Sequence, residues 1–330
     1  MSSLVSVSFF GVACASGSEE ATESVVSELT APATTKGTVV VTYSALGSLV
    51  ADLVGGVADV QILVPNGLDP HDFEPSARDV EKLTKASLVV ANGLDLEEGL
   101  EDALGEVAKS GTPVFYVTDH VTLRTASVKE DDHGAEGDAG HGEGAEGDAG
   151  HGEGAEGDAG HGHGDEDPHI WLDPLTLAEA IPALAAEIGD RIGVDLSDNV
   201  ESVVTDLVSL NDAIAAEIGT LESCVLLTGH DSLGYFGARY GCEIVGSIVP
   251  GFSTAAEATA GELAKLKKVA ESRGVKAIFT EQGTPKGVAE RIAAELKVDV
   301  IELPHHRVPD GGGYAEMMEN LARTIVDGLA

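Results

Sequence analysis

The chain has 330 residues, 57 of them acidic and 19 basic, for a formal net charge of -38; 43% are hydrophobic and 4% aromatic. That length holds two ordinary domains with sizeable cores. The charge balance excludes nucleic acid and anionic membrane surfaces as principal partners and suits a protein that attracts cations.

The first residues, MSSLVSVSFFGVACAS, form a short apolar run followed by a Ser/Glu/Thr/Ala-rich stretch, the pattern of an export signal and linker. Ala13-Cys14 resembles the cleavage and lipidation junction of bacterial lipoproteins, so Cys14 is the expected lipid anchor, with Gly11 where Leu is usual. No other segment is long and apolar enough to span a bilayer. Strands are then predicted over residues 38–43, 60–64, 87–91 and 113–117, with helices over 46–54, 76–86 and 96–110 between them. Such alternation predicts a parallel α/β sheet. A ten-residue unit, GAEGDAGHGE, follows almost three times over residues 134–163. It has almost no large apolar residue and cannot offset the entropy of ordering, so a disordered loop is expected at 130–167. Its histidines, His133, His141, His151, His161 and His163, stand among carboxylates and are candidate weak metal sites.

Helices are predicted over 175–192 and 199–218, the second with Val200, Val203, Val204, Leu207, Leu210, Ile214 and Ile218 at helical spacing and no Pro or Gly to interrupt it. A second α/β series has strands over 224–228, 243–249, 277–280 and 299–303, with helices over 232–240, 259–273, 285–296 and 314–329. Thr259 and Glu262 have capping-box spacing. Cys224 and Cys242, an even pair in an exported chain, can form a disulfide or remain buried thiols. The expected organisation is signal and linker over 1–36, an N-terminal lobe over 37–197 carrying the loop, a bridging helix over 198–219, and a C-terminal lobe over 220–330.

Three histidines share one setting, in or near loops beyond apolar strands: His71 in Asp69-Pro70-His71-Asp72, His169 in Pro168-His169-Ile170-Trp171, and His230 in Thr228-Gly229-His230-Asp231. Loops beyond strand C-termini line the ligand crevice of open α/β sheets. Two of these histidines fall in the first lobe and one in the second, so they converge only between the lobes. A fourth donor is expected from the second lobe: His306, Glu281 or, less favourably, Asp310, with water as the remaining option. Three imidazoles plus one more donor suit Zn2+, whereas Mn2+ calls for more oxygen. His120, at a strand end, is the expected bystander. Such a site serves either a binding protein or a zinc hydrolase, but the chain has no HExxH, and Gly229-His230-Asp231-Ser232 is contiguous and cannot form a triad by itself.

The segments GLDPHDFEPSARDV, DPHIWLDP, TGHDSLGYFGARYG, IFTEQGTPKGVAERIAAELKVDVIELP and GGGYAEMMENLARTI, in that order, resemble the zinc/manganese solute-binding proteins of bacterial ABC transporters, the cluster A-I family. The similarity runs from about residue 38 to 330. It implies two α/β lobes, each with a mainly parallel sheet, joined by one long rigid helix, with the metal between them. It implies an extracytoplasmic, monomeric carrier, periplasmic or lipid-anchored, that delivers Zn2+ to a membrane permease and its ATPase without turnover. By position, His71, His169 and His230 match the family's first three ligands, and histidine at the third position favours zinc over manganese. The family's fourth ligand is often Asp in the loop that here reads Pro304-His305-His306; His306 matches it best, with Glu281 or water as alternatives. Some relatives are said to act as surface adhesins, a second role open to an exposed carrier.

Overall fold

The computed structural model describes residues 37–125 and 166–330. Cys14 and the histidines at 133, 141, 151, 161 and 163 lie outside them.

The first lobe is built on β1 (Thr38–Val41), β2 (Asp59–Ile62), β3 (Leu88–Ala91) and β4 (Val114–Tyr116), all parallel in the order β2-β1-β3-β4. The two central strands are continuous apolar runs, Val39-Val40-Val41 and Leu88-Val89-Val90-Ala91, and all seven residues are fully buried. That is the signature of strands covered on both faces. Three helices complete the lobe: α1 (Ser44–Val54), α2 (Ala77–Lys85) and α3 (Glu101–Lys109). Ser76 and Asp79 form a capping box that starts α2.

The helix expected to begin at residue 96 begins later. Gly93, Leu94 and Asp95 all take positive φ (94°, 56° and 56°), which reverses the chain before a helical turn can form. A 3-10 turn, Glu98–Leu100, then leads into α3. This bend is held from inside by the buried Glu97 carboxylate. Its Oε1 accepts the Thr42 hydroxyl (2.5 Å) and the Asn92 N–H (2.8 Å), and its Oε2 accepts the Gly93 N–H (3.4 Å).

Two long helices follow, α4 (Pro174–Ile192) and α5 (Ser197–Ile218). Asp173 caps α4 by accepting the Leu175 N–H, and Pro174 occupies the first helical position. The 22 residues of α5 span about 33 Å at 1.5 Å per residue. It buries Val203, Leu207, Leu210, Ile214 and Ile218, and packs against α1 and α4 as well as α6 (Gly234–Tyr240) and α9 (Tyr314–Leu329).

The second sheet repeats the first in topology. β5 (Val225–Thr228), β6 (Glu243–Ser247), β7 (Ala277–Thr280) and β8 (Asp299–Glu302) are parallel in the order β6-β5-β7-β8. Alternate residues face two cores: Leu226, Ala277 and Phe279 join the large cluster that includes α9, while Leu227, Val245 and Ile278 pack with Leu266, Ala270 and Ile292 of α7 (Ala260–Arg273) and α8 (Lys286–Leu296). Thr259 and Glu262 form the capping box of α7. Cys224 and Cys242 are joined by a disulfide, which ties the entry of β5 to the turn between α6 and β6. No helix among the described residues is long and apolar enough to cross a membrane.

Candidate metal centre

Both sheets send their C-terminal ends towards one crevice. His71 follows β2 by a loop, and His230 lies two residues beyond β5, next to the point where the strand order reverses. His169 sits at the bend before a 3-10 turn (Ile170–Leu172) that leads into α4. The structure brings these three together. Each offers a ring nitrogen within 4.8 Å of the others, the one such cluster among the described residues. His71 Nε2 lies 3.4 Å from His169 Nε2, which lies 3.0 Å from His230 Nε2. Tetrahedral nitrogens at zinc-bond length stand about 3.3 Å apart. The spacing therefore fits one ion.

Carboxylates orient two of the rings from behind. Asp167 Oδ1 accepts both the His169 N–H (3.0 Å) and its ring Nδ1–H (2.8 Å). Glu281 Oε1 does the same for His230, taking the N–H at 2.7 Å and forming a short bond with Nδ1. A proton held on each Nδ1 leaves the Nε2 lone pairs facing one another across the crevice. A cation between them relieves that repulsion. Two glycines make room for these carboxylates. A Cβ on Gly229 would stand 2.4 Å from Glu281 Oε1, and one on Gly234 would stand 2.4 Å from Asp167 Oδ2.

The surroundings keep most of the rings neutral. Burial, opposed by the Asp69 carboxylate and helped slightly by His230, lowers His71 from 6.5 to about 4. Burial and then the neighbouring imidazoles hold His169 well below its ordinary value. Burial alone would lower His230, but the charge and hydrogen bond of Glu281 outweigh it, and its pKa ends above 6.5. Asp167 is pushed up to about 7, chiefly by burial. Neutral imidazole is the ligating form.

The other sequence candidates are placed differently. His306 is buried, with its ring 5.7 Å from that of Trp171 and its Nε2 without a hydrogen-bond partner, but it is not one of the clustered three. Glu281 has the role of an orienting acceptor through Oε1, and its Oε2 is buried and unpartnered. Asp310 is exposed, and His120 is exposed and stacks on Phe115. Sequence reasoning passed over His305, which is fully buried with both ring nitrogens unpartnered and its ring 6.5 Å from that of His230. It also passed over the orienting role of Asp167. The signal for Asp167 was present: Asp-Pro-His occurs twice, at 69–71 and 167–169.

Contacts across the crevice fix its two walls. Arg239 of α6 donates to both oxygens of Asp173 (2.7–2.9 Å). Trp171 Nε1–H donates to the His305 carbonyl (3.2 Å), Gly67 N–H to the His306 carbonyl (3.0 Å), and Asn66 exchanges two bonds with the Val308 backbone.

Two parallel-sheet lobes with a histidine-lined crevice between them define a two-lobed solute-binding protein. The profile of one family, zinc-uptake complex component A, periplasmic (ZnuA), matches residues 39–328, and the chain belongs to that family. It is 26% identical over 300 residues to the zinc-binding lipoprotein AdcA of Streptococcus pneumoniae, covering 87% of this chain and 54% of that protein. The chain thus spans about half the length of the first curated relatives it matches. It is also 26% identical over 300 residues to the high-affinity zinc uptake system protein ZnuA of Bacillus subtilis, covering 88% of this chain and 87% of that one. Among solved structures, the periplasmic zinc binding protein TroA from Treponema pallidum superposes with a TM-score of 0.71 at 24% identity, covering 89% of this chain and 99% of that one.

Proposed function

We propose that the chain captures Zn2+ in the crevice through His71, His169 and His230 and delivers it, without turnover, to the permease and ATPase of a membrane importer. The observation that carries this is the convergence of three Nε2 atoms at zinc spacing, two of them held in the ligating tautomer by buried carboxylates. Membership of a zinc-uptake family supports it. A nitrogen-rich donor set favours zinc over manganese. The fourth donor comes from the second lobe, where His305, His306 and Glu281 all carry buried, unpartnered ring or carboxylate atoms. An extracytoplasmic location with Cys14 as a lipid anchor accords with the disulfide, which persists in oxidising compartments. In this reading the protein is a monomer, residues 37–197 and 220–330 are its lobes, and 198–219 is the bridging helix. The histidines at 133, 141, 151, 161 and 163 are accessory weak sites.

Competition titration of the full chain with a zinc-chelating dye tests the proposal. His71→Ala, His169→Ala and His230→Ala should each abolish tight binding of one Zn2+, while deletion of residues 134–164 should remove only weaker sites. If the deletion abolished tight binding and the point changes did not, the crevice would not be the site. Zinc-dependent turnover of an ester or phosphate would overturn the carrier reading.

A further inference from the structure

Each ligand imidazole has an Nδ1 to satisfy, but the structure satisfies only two of the three. His169 has Asp167 and His230 has Glu281. His71 Nδ1 is buried and has no hydrogen-bond partner. A buried polar atom left bare costs free energy and calls for an explanation. The nearest carboxylate in an ion-pair contact is Glu98, with Oε1 3.8 Å from His71 Nδ1, beyond hydrogen-bond reach. Asp69 is already engaged. Its Oδ1 accepts the His71 N–H (3.0 Å) and its Oδ2 accepts the Thr254 hydroxyl (2.9 Å).

We propose that Glu98 is the positioning residue for His71: its carboxylate closes on the Nδ1–H when Nε2 binds Zn2+, and its retreat sets how readily that ligand lets go. The inference rests on the zinc site proposed above.

Three features of the chain support the assignment. The side chain of Glu98 is 40% exposed while that of His71 is 1% exposed, so the carboxylate has room to move and the ring does not. A cavity of about 450 Å³, lined by His71, Glu98, Asp95, Phe252 and Ser253 among others, gives the side chain space to rotate. The backbone that carries Glu98 is also held in an unusual shape. Leu94 and Asp95 both have φ 56°, a conformation that non-glycine residues keep only when their surroundings impose it. Here the buried Glu97 imposes it, pinning Asn92 and Gly93 and leaving the next residue opposite His71. Closing the gap requires a movement of about 1 Å to reach ordinary hydrogen-bond length. The other two carboxylates are buried and already in place. His71 is then the one ligand whose support comes and goes, and zinc leaves by releasing it first.

The test is zinc release from the loaded full chain, followed after mixing with excess chelator, with the His71 ring read by NMR in the same samples. Orienting partners of ligand histidines are worth 10–100-fold in affinity, so Glu98→Ala should release zinc about tenfold faster. Glu98→Gln, whose amide oxygen still accepts an N–H, should recover most of that loss. The zinc-loaded parent and Glu98→Gln should show a protected His71 Nδ1–H proton that Glu98→Ala lacks. A Glu98→Ala release rate within about twofold of the parent, with the Nδ1–H resonance intact, would overturn the proposal. If His71→Ala itself retained tight zinc, the site would have been misassigned; if it lost zinc while Glu98→Ala behaved as the parent, the role of Glu98 alone would fall.

Discussion

Asp69-Pro70-His71 and Asp167-Pro168-His169 are the same three residues, and their backbones behave alike. In both, the aspartate Oδ1 accepts the histidine N–H at 3.0 Å. The rings differ. Asp167 also holds the His169 Nδ1, whereas Asp69 leaves the His71 Nδ1 bare. The far oxygens differ as well. Asp167 Oδ2 pairs with Arg124 of its own lobe at 3.2 Å, while Asp69 Oδ2 is held by Thr254 of the opposite lobe at 2.9 Å. The same short motif thus gives the same backbone turn in both places, while the long-range partners of its aspartate and the support of its histidine ring differ.

The sharpest way to break this comparison is to neutralise the two aspartates in turn. Asp167→Asn removes the charge behind His169 and disturbs the proton on Nδ1. Zinc affinity should fall 10–100-fold, the range for orienting partners of metal-bound histidines. Asp69→Asn keeps an oxygen for the His71 N–H and should cost only a few-fold. A dye competition titration reads both. Equal losses would mean that the two segments support their rings in the same way, and the distinction drawn from Nδ1 would not hold.

Acid should act on the metal-free protein through the same rings. His71, His169, His305 and His306 are all held below their ordinary value, mainly by burial. The unfolded chain therefore binds more protons than the folded one below about pH 6.5, and stability falls as pH drops. For His71 the loss runs from about 6.5 down to about 4. Asp167, raised to about 7, works the other way, since its folded form takes up a proton as pH falls from 7 towards 4. His230, raised, gives stability that is fully present below about pH 6.5 and lost as pH rises through its folded value. Asp52, Asp72 and Glu97 are raised as well, mainly by burial, and act in the same direction as Asp167. With the four lowered imidazoles dominant, the metal-free melting temperature should be lower at pH 5 than at pH 6.5. Saturating zinc at pH 6.5 should raise it. A flat profile would show that these imidazoles are open to water.

Much of this was legible in the chain itself. The continuous apolar runs of β1 and β3 marked strands covered on both faces, and Thr259 with Glu262 marked the start of α7. His71 and His230 were readable as candidates because each follows a strand, one by a loop and one by two residues; His169 does not follow a strand directly but stands before a 3-10 turn, and its setting differs from the one expected. The late start of α3 was not legible. Neither Leu94 nor Asp95 announces a left-handed backbone; Glu97 holds it through a long-range bond from Thr42 together with local bonds from the Asn92 and Gly93 N–H groups. The partnering of Glu281 with His230 was equally hidden, because 51 residues separate them and only the pairing of β5 with β7 brings them together. His305 escaped notice because burial, not spacing, makes it stand out.

The smallest expected effect is the most discriminating. Thr254→Val keeps the shape of the side chain and removes the hydroxyl that occupies Asp69 Oδ2. Freed, Asp69 can turn towards the His71 ring as Asp167 does towards His169. Zinc release should slow slightly, because His71 gains a second acceptor within its own segment. The decisive measurement is the double variant. If Asp69 and Glu98 compete for the same Nδ1–H, the acceleration caused by Glu98→Ala should shrink when Thr254→Val is also present. Residues in one hydrogen-bond network couple in this way, and distant ones do not. Additive effects on the release rate would mean that Thr254 and Glu98 act on different atoms, and that the bare nitrogen of His71 is not what distinguishes the two Asp-Pro-His segments.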